Sequence, residues 1–215
     1  MMAGNPPSRP AKGRGATGNT EGRFAKTTRL AEHDDWADDD PGPPDPRTTV
    51  SEERARSVIS RNRSPDLPFD RSVNAYRGCE HGCSYCFARP SHAYLDLSPG
   101  LDFETRLFAK TNVAEVLRSE LAKPGYACAP IAMGTNTDPY QPIERRYRLT
   151  RAIIEVLADC GHPFTLLTKN ALVERDLDLL EPLARRKLVS VALSVTTLDN
   201  RLSARLEPRA SAPHR

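Results

Sequence analysis

The chain has 215 residues, which is enough for one ordinary domain and too few for two large ones. Its 31 Lys and Arg and 28 Asp and Glu residues give a net charge of +3, so charge alone is weak evidence for a nucleic-acid partner. No apolar run approaches the roughly 20 residues of a membrane span, and no signal-peptide pattern follows the first residues. We therefore expect a cytoplasmic protein without a membrane partner, whose reduced cysteines serve metal binding or catalysis.

The first 65 residues differ in composition from the rest of the chain. They are rich in Pro, Gly, Arg and Asp and contain few large apolar side chains, with basic residues concentrated in 9–29 and acidic residues in 32–46. Such a segment buries too little apolar surface to offset the conformational entropy lost on ordering. We therefore predict a disordered arm over residues 1–65, interrupted by a short helix that begins at Ser51.

Residues 66–215 are predicted to form the folded core, because short apolar runs alternate there with amphipathic segments. The predicted strands cover residues 71–76, 129–135, 163–169 and 188–197. The predicted helices cover residues 111–125, 150–160 and 172–187, and a further helix begins after Asp199. This alternation is typical of an α/β fold with a parallel sheet. The last strand would be an exposed apolar edge, which implies that another subunit covers it or that the chain is a truncated product.

Three of the five cysteines lie close together in GCEHGCSYCFARPSH, residues 78–92, with the spacing C-x3-C-x2-C. Three such thiols are typical ligands of zinc or of an iron–sulfur cluster. A structural zinc site needs a fourth protein ligand, which here would be His81, His92, Cys128 or Cys160. In a [4Fe–4S] cluster, three cysteine ligands leave one iron open for a substrate or cofactor. We predict that the metal ligands are Cys79, Cys83 and Cys86.

The cysteine segment follows the first predicted strand of the core, and the aromatic Tyr85 precedes its third cysteine. The pattern C-x3-C-x-aromatic-C in this position resembles the signature of the radical S-adenosylmethionine (radical SAM) superfamily. Three longer stretches resemble its bacterial subgroup related to spore photoproduct lyase, often labelled DNA repair photolyase-like. They are YRGCEHGCSYCFARPSHAYL, GTNTDPYQPIERRYRLTR and SVTTLDNRLSARLEPR, and the resemblance covers roughly residues 65–215.

This resemblance implies a fold, cofactors and a reaction type. The family fold is a partial (β/α)6 barrel, of which about the first four β/α units would be present here. The family binds a [4Fe–4S] cluster and S-adenosylmethionine, takes an electron from a donor such as flavodoxin or ferredoxin, and generates a 5′-deoxyadenosyl radical. A nucleic-acid substrate follows only by analogy, because the C-terminal barrel cysteine on which spore photoproduct lyase relies has no counterpart here. The competing interpretation is a zinc-stabilised nucleic-acid-binding module without catalysis.

Further candidate cofactor-binding residues lie in the cysteine loop and after the predicted strands. Tyr85 fills the aromatic position of the motif. Asn136 and Asp138, in the TNTD loop after the second strand, offer oxygen acceptors to the amino group of S-adenosylmethionine, although an Asp-Pro dipeptide is also typical of a turn. In the family, polar residues near the end of the fourth strand approach the ribose or carboxylate, and Ser194 lies there. Lys169 is more simply a solvent-facing residue than a ligand of a carboxylate or phosphate.

The remaining cysteines and two residues after the cysteine loop have simpler interpretations. Cys128 and Cys160 are predicted to be small buried residues, Cys160 because it continues the apolar stripe of a helix. Arg89 and His92 lie close enough in sequence to hydrogen-bond a cluster or substrate. His92 as a fourth cluster ligand would close the open iron, so we assign it no ligand role.

Overall fold

The computed structural model describes residues 11–24 and 47–215. The strands in these ranges are β1 (Thr49–Glu53), β2 (Ile59–Arg61), β3 (Arg71–Val73), β4 (Tyr76–Arg77), β5 (Arg106–Lys110), β6 (Ile131–Met133), β7 (Phe164–Thr168) and β8 (Val189–Leu193). The α-helices are α1 (Asp102–Thr105), α2 (Val113–Leu121), α3 (Glu144–Tyr147), α4 (Leu149–Asp159), α5 (Leu177–Arg185) and α6 (Asn200–Leu206). None of the helices described is long and apolar enough to cross a membrane.

The larger sheet has the strand order β2-β3-β6-β7-β8. β3, β6, β7 and β8 run parallel in the order of the sequence, and β2 pairs antiparallel with β3 at one edge. Ile131 of β6 lies opposite Phe164 of β7, and Phe164 lies opposite Val189 of β8. The predicted α/β class and the parallel order of the predicted strands are therefore confirmed.

The longer helices each bury one apolar face in a core shared with this sheet. Ile153, Ile154 and Leu157 of α4 are fully buried, and they belong to the same cluster as Leu180 and Leu183 of α5. This three- and four-residue spacing places side chains on one side of a helix. Each fully buried aliphatic side chain contributes roughly 1.5–3 kcal/mol to folding. The helix predicted over 172–187 is also present, but its first part is a 3₁₀ helix, Ala171–Asp176.

The prediction of a helix that begins at Ser51 is wrong. β1 instead pairs parallel with β5, with Ser51 opposite Phe108, and β2 joins the larger sheet. Glu120 of α2 also accepts hydrogen bonds from the backbone N–H groups of Val58 (3.1 Å) and Ile59 (2.9 Å). These partners lie far along the chain, so long-range backbone pairing outweighs the weak local helix preference.

The strand predicted over residues 71–76 is divided between two sheets. β3 belongs to the larger sheet, whereas β4 pairs antiparallel with β5 in a smaller sheet of order β1-β5-β4. Asn74 lies between the two strands, and its side-chain carbonyl accepts a hydrogen bond from the backbone N–H of Asn136 (3.1 Å). This division directs the chain out of the larger sheet just before the first cysteine.

β8 is the outer strand of the larger sheet, as the sequence predicts. Its side chains Val191 and Leu193 are 41% and 61% exposed. Within the part of the chain that the structure describes, this edge is apolar and open to a further strand or another chain.

Parts of the predicted N-terminal arm contact the folded core or belong to its sheets. Residues 11–24 lie against the folded core, and residues 49–53 and 59–61 are strands. Residues 1–10 and 25–46 lie outside the described residues. The division of the chain at residue 65 stays a prediction.

The carboxyl group of Asp176 makes the stability of the fold depend on pH in the acidic range. Its buried side chain accepts hydrogen bonds from Tyr140 Oη (3.0 Å), Arg151 Nη1 (3.0 Å) and Arg175 Nε (2.8 Å). Burial alone would raise the pKa of Asp176, but these hydrogen bonds outweigh it and keep the pKa below the ordinary value of 3.8. The carboxylate therefore stabilises the fold above the pKa of the unfolded chain, and this stabilisation is lost as the pH falls through the lower pKa of the folded state.

We expect the melting temperature of the wild-type chain to fall more steeply between about pH 4 and pH 2 than that of Asp176→Asn, which cannot titrate at this position. Thermal unfolding followed by circular dichroism measures both slopes. Equal slopes would show that Asp176 is not a source of the acid dependence.

Candidate functional site

The cysteine loop, residues 78–86, leaves the end of β4 and is fixed through its own backbone. Gly78 and Gly82 have positive φ values of 75° and 66°, a conformation that favours glycine. The backbone N–H of Cys79 donates to the carbonyl of Phe103 (2.9 Å), and that of Ser84 donates to the carbonyl of Leu206 (2.9 Å). The loop is thus supported from α1 on one side and from α6 on another.

A glutamine and an arginine support the same loop. Gln141 accepts a hydrogen bond from the backbone N–H of Glu80 (3.0 Å) and donates to the carbonyl of Gly78 (3.1 Å). The guanidinium of Arg89 donates to the carbonyl of Cys83 (2.8 Å). Arg89, which lies close enough in sequence to hydrogen-bond a cluster or substrate, contacts the backbone of the loop in the structure.

All three loop cysteines line one cavity of about 130 Å³. Cys79 and Cys83 are buried and Cys86 is half-buried. Burial raises the pKa of the Cys79 thiol well above its ordinary value, and burial together with the nearby carboxylate of Glu207 raises the pKa of Cys83 to about 12. The thiols of Cys79 and Cys83 are therefore protonated at neutral pH, and a bound metal would have to displace those protons.

The same cavity receives the loops that follow the three neighbouring parallel strands β6, β7 and β8. Asn136 and Asp138 follow β6, Lys169 follows β7 and Ser194 follows β8. The carboxyl ends of parallel strands meet at one edge of a sheet, which is where ligands bind in parallel α/β folds. The structure therefore brings three predicted site residues, Asn136, Asp138 and Ser194, to the cysteines, together with Lys169.

Asp138 is nearly buried, and protein groups occupy its carboxylate. Its Oδ1 accepts hydrogen bonds from Thr168 Oγ1 (2.6 Å) and from the backbone N–H of Tyr140 (2.8 Å). Its Oδ2 accepts a hydrogen bond from the backbone N–H of Lys169 (2.8 Å) and lies 3.4 Å from His81 Nδ1. These contacts link the loop after β6 to the end of β7 and to the cysteine loop.

Lys169 was expected to face solvent, and this prediction is wrong. Its side chain is only 20% exposed, and its ammonium lies 2.7 Å from Glu207 Oε1 and 2.8 Å from Ser194 Oγ. The same ammonium lies over the ring of Tyr85, 5.6 Å from the ring centroid. The ion pair with Glu207 explains why the lysine stays inside, because a charged partner offsets part of the cost of burial.

Glu207 belongs to the site, although the sequence does not predict this. Its Oε1 accepts a hydrogen bond from Thr196 Oγ1 (2.6 Å), and its carboxylate also accepts one from the hydroxyl of Tyr85. The only signal was its place in the stretch RLSARLEPR, just after α6. Tyr85, which is half exposed, does not line the cavity of the cysteines but is linked to it through Glu207 and Lys169.

The other cysteines and His92 do not take part in this site. Cys128 and Cys160 are exposed, so the prediction that they are buried is wrong. Cys160 is the C-cap residue of α4, where the chain turns away from the apolar face of the helix. His92 is fully buried, does not line the cavity, and directs Nε2 to the carbonyl of Arg106 (2.9 Å).

The sequence model that describes the radical SAM superfamily matches residues 73–214, about two thirds of the chain. The chain belongs to the radical SAM superfamily. Members of this superfamily typically use a [4Fe–4S] cluster and S-adenosylmethionine. The matched residues contain the whole cysteine loop and the strands β6, β7 and β8 that border the cavity.

Relatives of this radical SAM chain occur in bacteria, archaea and a virus. An uncharacterized protein of Mycobacterium tuberculosis is 50% identical over 147 residues, which cover 68% of this chain and 43% of that protein. An uncharacterized protein of Methanocaldococcus jannaschii is 26% identical over 155 residues, covering 72% of this chain and 54% of that protein. One from Acidianus two-tailed virus is 29% identical over 147 residues, covering 66% of this chain and 47% of that protein. No solved structure gives a significant match.

Proposed function

We propose that this chain is a radical SAM enzyme that holds a [4Fe–4S] cluster on Cys79, Cys83 and Cys86 and binds S-adenosylmethionine beside it. One observation carries the proposal. The three cysteines of a single loop line the same cavity as the loops that follow three neighbouring parallel strands. This places metal-binding thiols next to polar groups that suit the amino acid part of S-adenosylmethionine.

The donor set of the cavity suits such a cluster. Among residues 11–24 and 47–215, no three Cys, His, Asp or Glu side chains lie close enough to share a single metal ion. A [4Fe–4S] cluster does not require that arrangement, because each thiolate binds a different iron. Three cysteine ligands leave one iron for the amino and carboxylate groups of S-adenosylmethionine.

Lys169 and Ser194 are the groups that we assign to the carboxylate of S-adenosylmethionine. They line the cavity and lie 2.8 Å apart, so an ammonium and a hydroxyl are available to one anion. Burial alone would lower the pKa of Lys169, but hydrogen bonds with Glu207 and Tyr85 outweigh it and raise the pKa above the ordinary value. Lys169 is therefore charged at neutral pH, and Glu207 fixes its position.

Asn136 and Tyr85 are assigned to the other parts of S-adenosylmethionine. Asn136 is half-buried in the cavity wall and carries a side-chain carbonyl that can accept a hydrogen bond from the amino group. The half-exposed ring of Tyr85 offers a flat apolar surface to the adenine. Asp138 stays a predicted cofactor ligand, and its present contacts support a role in positioning the loop after β6.

A cluster held by these cysteines and reduced by a donor such as flavodoxin or ferredoxin would supply the one electron that cleaves S-adenosylmethionine to methionine and a 5′-deoxyadenosyl radical. The protein orients the sulfonium and excludes water, and the redox chemistry belongs to the cofactor. The same proposal includes four more specific statements about the fold, the subgroup, the substrate and the location of the protein. They are a (β/α)6 barrel of which this chain supplies the first four units, the subgroup related to spore photoproduct lyase, a nucleic-acid substrate by analogy, and a cytoplasmic location.

Lys169→Met tests the assignment of the binding site. Loss of one charge-assisted hydrogen bond corresponds to about a 10- to 100-fold weaker affinity for S-adenosylmethionine, while the iron content should not change. The assay is anaerobic incubation of the reconstituted chain with dithionite and increasing S-adenosylmethionine, with 5′-deoxyadenosine measured by chromatography. Lys123→Met, which removes an exposed lysine after α2, is the matched control and should behave as wild type. Equal affinities of Lys169→Met and wild type would contradict the assignment.

A further inference from the structure

Residues 11–24, which we call the N-terminal strap, lie directly against the cysteine loop. A Cβ atom at Gly15 would collide with the carbonyl group of Gly82, which lies between the first two loop cysteines. Further along the strap, the carbonyl of Gly18 accepts a hydrogen bond from the backbone N–H of Leu101 (3.1 Å). Backbone therefore packs on backbone here, and only glycine fits at the closest point.

Glu104 of α1 links the N-terminal strap to the cysteine loop. Its fully buried carboxylate accepts hydrogen bonds from the backbone N–H groups of Gly15 (3.1 Å) and Ala16 (2.9 Å). The same carboxylate pairs with Arg89, whose guanidinium donates to the carbonyl of Cys83. A continuous series of hydrogen bonds thus runs from the strap amides through one carboxylate and one guanidinium to a predicted cluster ligand.

Arg14 and Thr48 extend this contact to the other side of the loop. Arg14 donates to the carbonyl of Glu104 (3.0 Å) and to Thr48 Oγ1 (2.8 Å). Thr48 in turn donates to Glu80 Oε1 (2.8 Å), and Glu80 follows the first cysteine directly. The strap is therefore connected to the loop next to Cys79 as well as at Cys83.

These contacts matter because the loop keeps its conformation through hydrogen bonds to neighbouring segments. Two of its residues are glycines at positive φ, which in a free chain populate many conformations. Groups that orient metal ligands from behind commonly change metal affinity by about 10- to 100-fold when they are removed. A buried carboxylate is costly unless charged and hydrogen-bonded partners surround it, so Glu104 needs both Arg89 and the strap amides.

We propose that the N-terminal strap is part of the cluster site, and that Glu104 is a positioning residue through which the docked strap fixes the cysteine loop. Docking of the strap slows the loss of the cluster, and undocking releases it. This inference rests on the proposed role of the three cysteines as cluster ligands.

Gly15→Ala and Gly18→Ala form a matched pair of variants in the full chain. The added methyl group collides with the cysteine loop at Gly15 and meets open space at Gly18. With the reconstituted cluster, we expect Gly15→Ala to lose iron to a chelator about 10- to 100-fold faster than wild type, and Gly18→Ala to match wild type. Iron loss is followed by visible absorbance well below the melting temperature of each chain. Glu104→Gln, which adds no bulk, should also accelerate iron loss.

The melting temperature of the cluster-free chains separates positioning from general stability. A role in positioning predicts that iron loss accelerates in Gly15→Ala and Glu104→Gln even when the cluster-free chains melt close to wild type. If Gly15→Ala does not fold, the rate of iron loss from Glu104→Gln relative to wild type tests the inference by itself. Iron loss at the wild-type rate in the variants that fold overturns the inference. A wild-type chain that assembles no cluster contradicts the proposed function itself, so the two failures are distinguishable.

Discussion

Replacing Cys83 by alanine is expected to abolish assembly of the iron–sulfur cluster, and Cys79→Ala and Cys86→Ala are expected to do the same. Each thiolate binds a different iron, so the loss of one leaves a corner of the cluster without a protein ligand. His92 offers no substitute, because it does not line the cavity and directs Nε2 to the carbonyl of Arg106. Iron and sulfide per chain after anaerobic reconstitution measure the effect.

Cys128→Ala and Cys160→Ala are the matched controls for these variants. Both cysteines are exposed and neither lines the cavity, so their replacement should leave the iron and sulfide content at the wild-type level. Loss of iron in Cys128→Ala as complete as in Cys83→Ala would show that the set of three ligands is wrong.

Asp138→Ala is expected to destabilise the whole fold. The substitution removes the acceptor of Thr168 Oγ1 and of the backbone N–H groups of Lys169 and Tyr140. Burial alone would raise the pKa of Asp138, but His81 and the hydrogen bonds from Thr168 and Lys169 keep it below 3.8, so a charged acceptor is lost at neutral pH. Each buried donor left unpaired costs about 1–3 kcal/mol, which gives a total of at least about 3 kcal/mol. The melting temperature should fall by roughly 6–12 °C.

Asp159→Ala is the matched control for Asp138→Ala, since it makes the same substitution in an exposed ion pair. Asp159 pairs with Arg118 (2.7 Å) at the surface, and exposed pairs contribute little to stability because solvent screens them. Differential scanning calorimetry of both variants without cluster gives the comparison. A melting temperature of Asp138→Ala as high as that of Asp159→Ala would mean that Asp138 does not link the strand ends as the structure places it.

The parallel strands could be predicted because their residues are apolar and adjacent in sequence. Segments such as PFTLLTK and LVSVALSVTT are read as strands from composition alone, and the helices between them show the spacing of one buried face. β1 and β2 could not be predicted in this way. Their polar residues pair with β5 and β3, and β1 lies more than 50 residues from its partner, so no local pattern marks it.

The residues of the candidate site, like the strands, could be predicted only in part from the sequence. The cysteines and the polar residues after β6 and β8 follow from motif and strand order, which together determine the edge of the sheet at which they meet. Glu207 reaches the site because the chain comes back to it after α6, and the ion pair with Glu207 holds Lys169 inside. No local sequence pattern predicts that path of the chain. The N-terminal strap has no apolar pattern, because it docks through backbone amides on Glu104, so its composition is that of a disordered arm.

The most direct test of the central claim is electron paramagnetic resonance of the dithionite-reduced, anaerobically reconstituted chain, with iron and sulfide counted in the same sample. We expect about four irons and four sulfides per chain and a spectrum that changes when S-adenosylmethionine is added, because one iron lacks a protein ligand. A colourless protein with one zinc ion, or a cluster whose spectrum does not respond to S-adenosylmethionine, would contradict it.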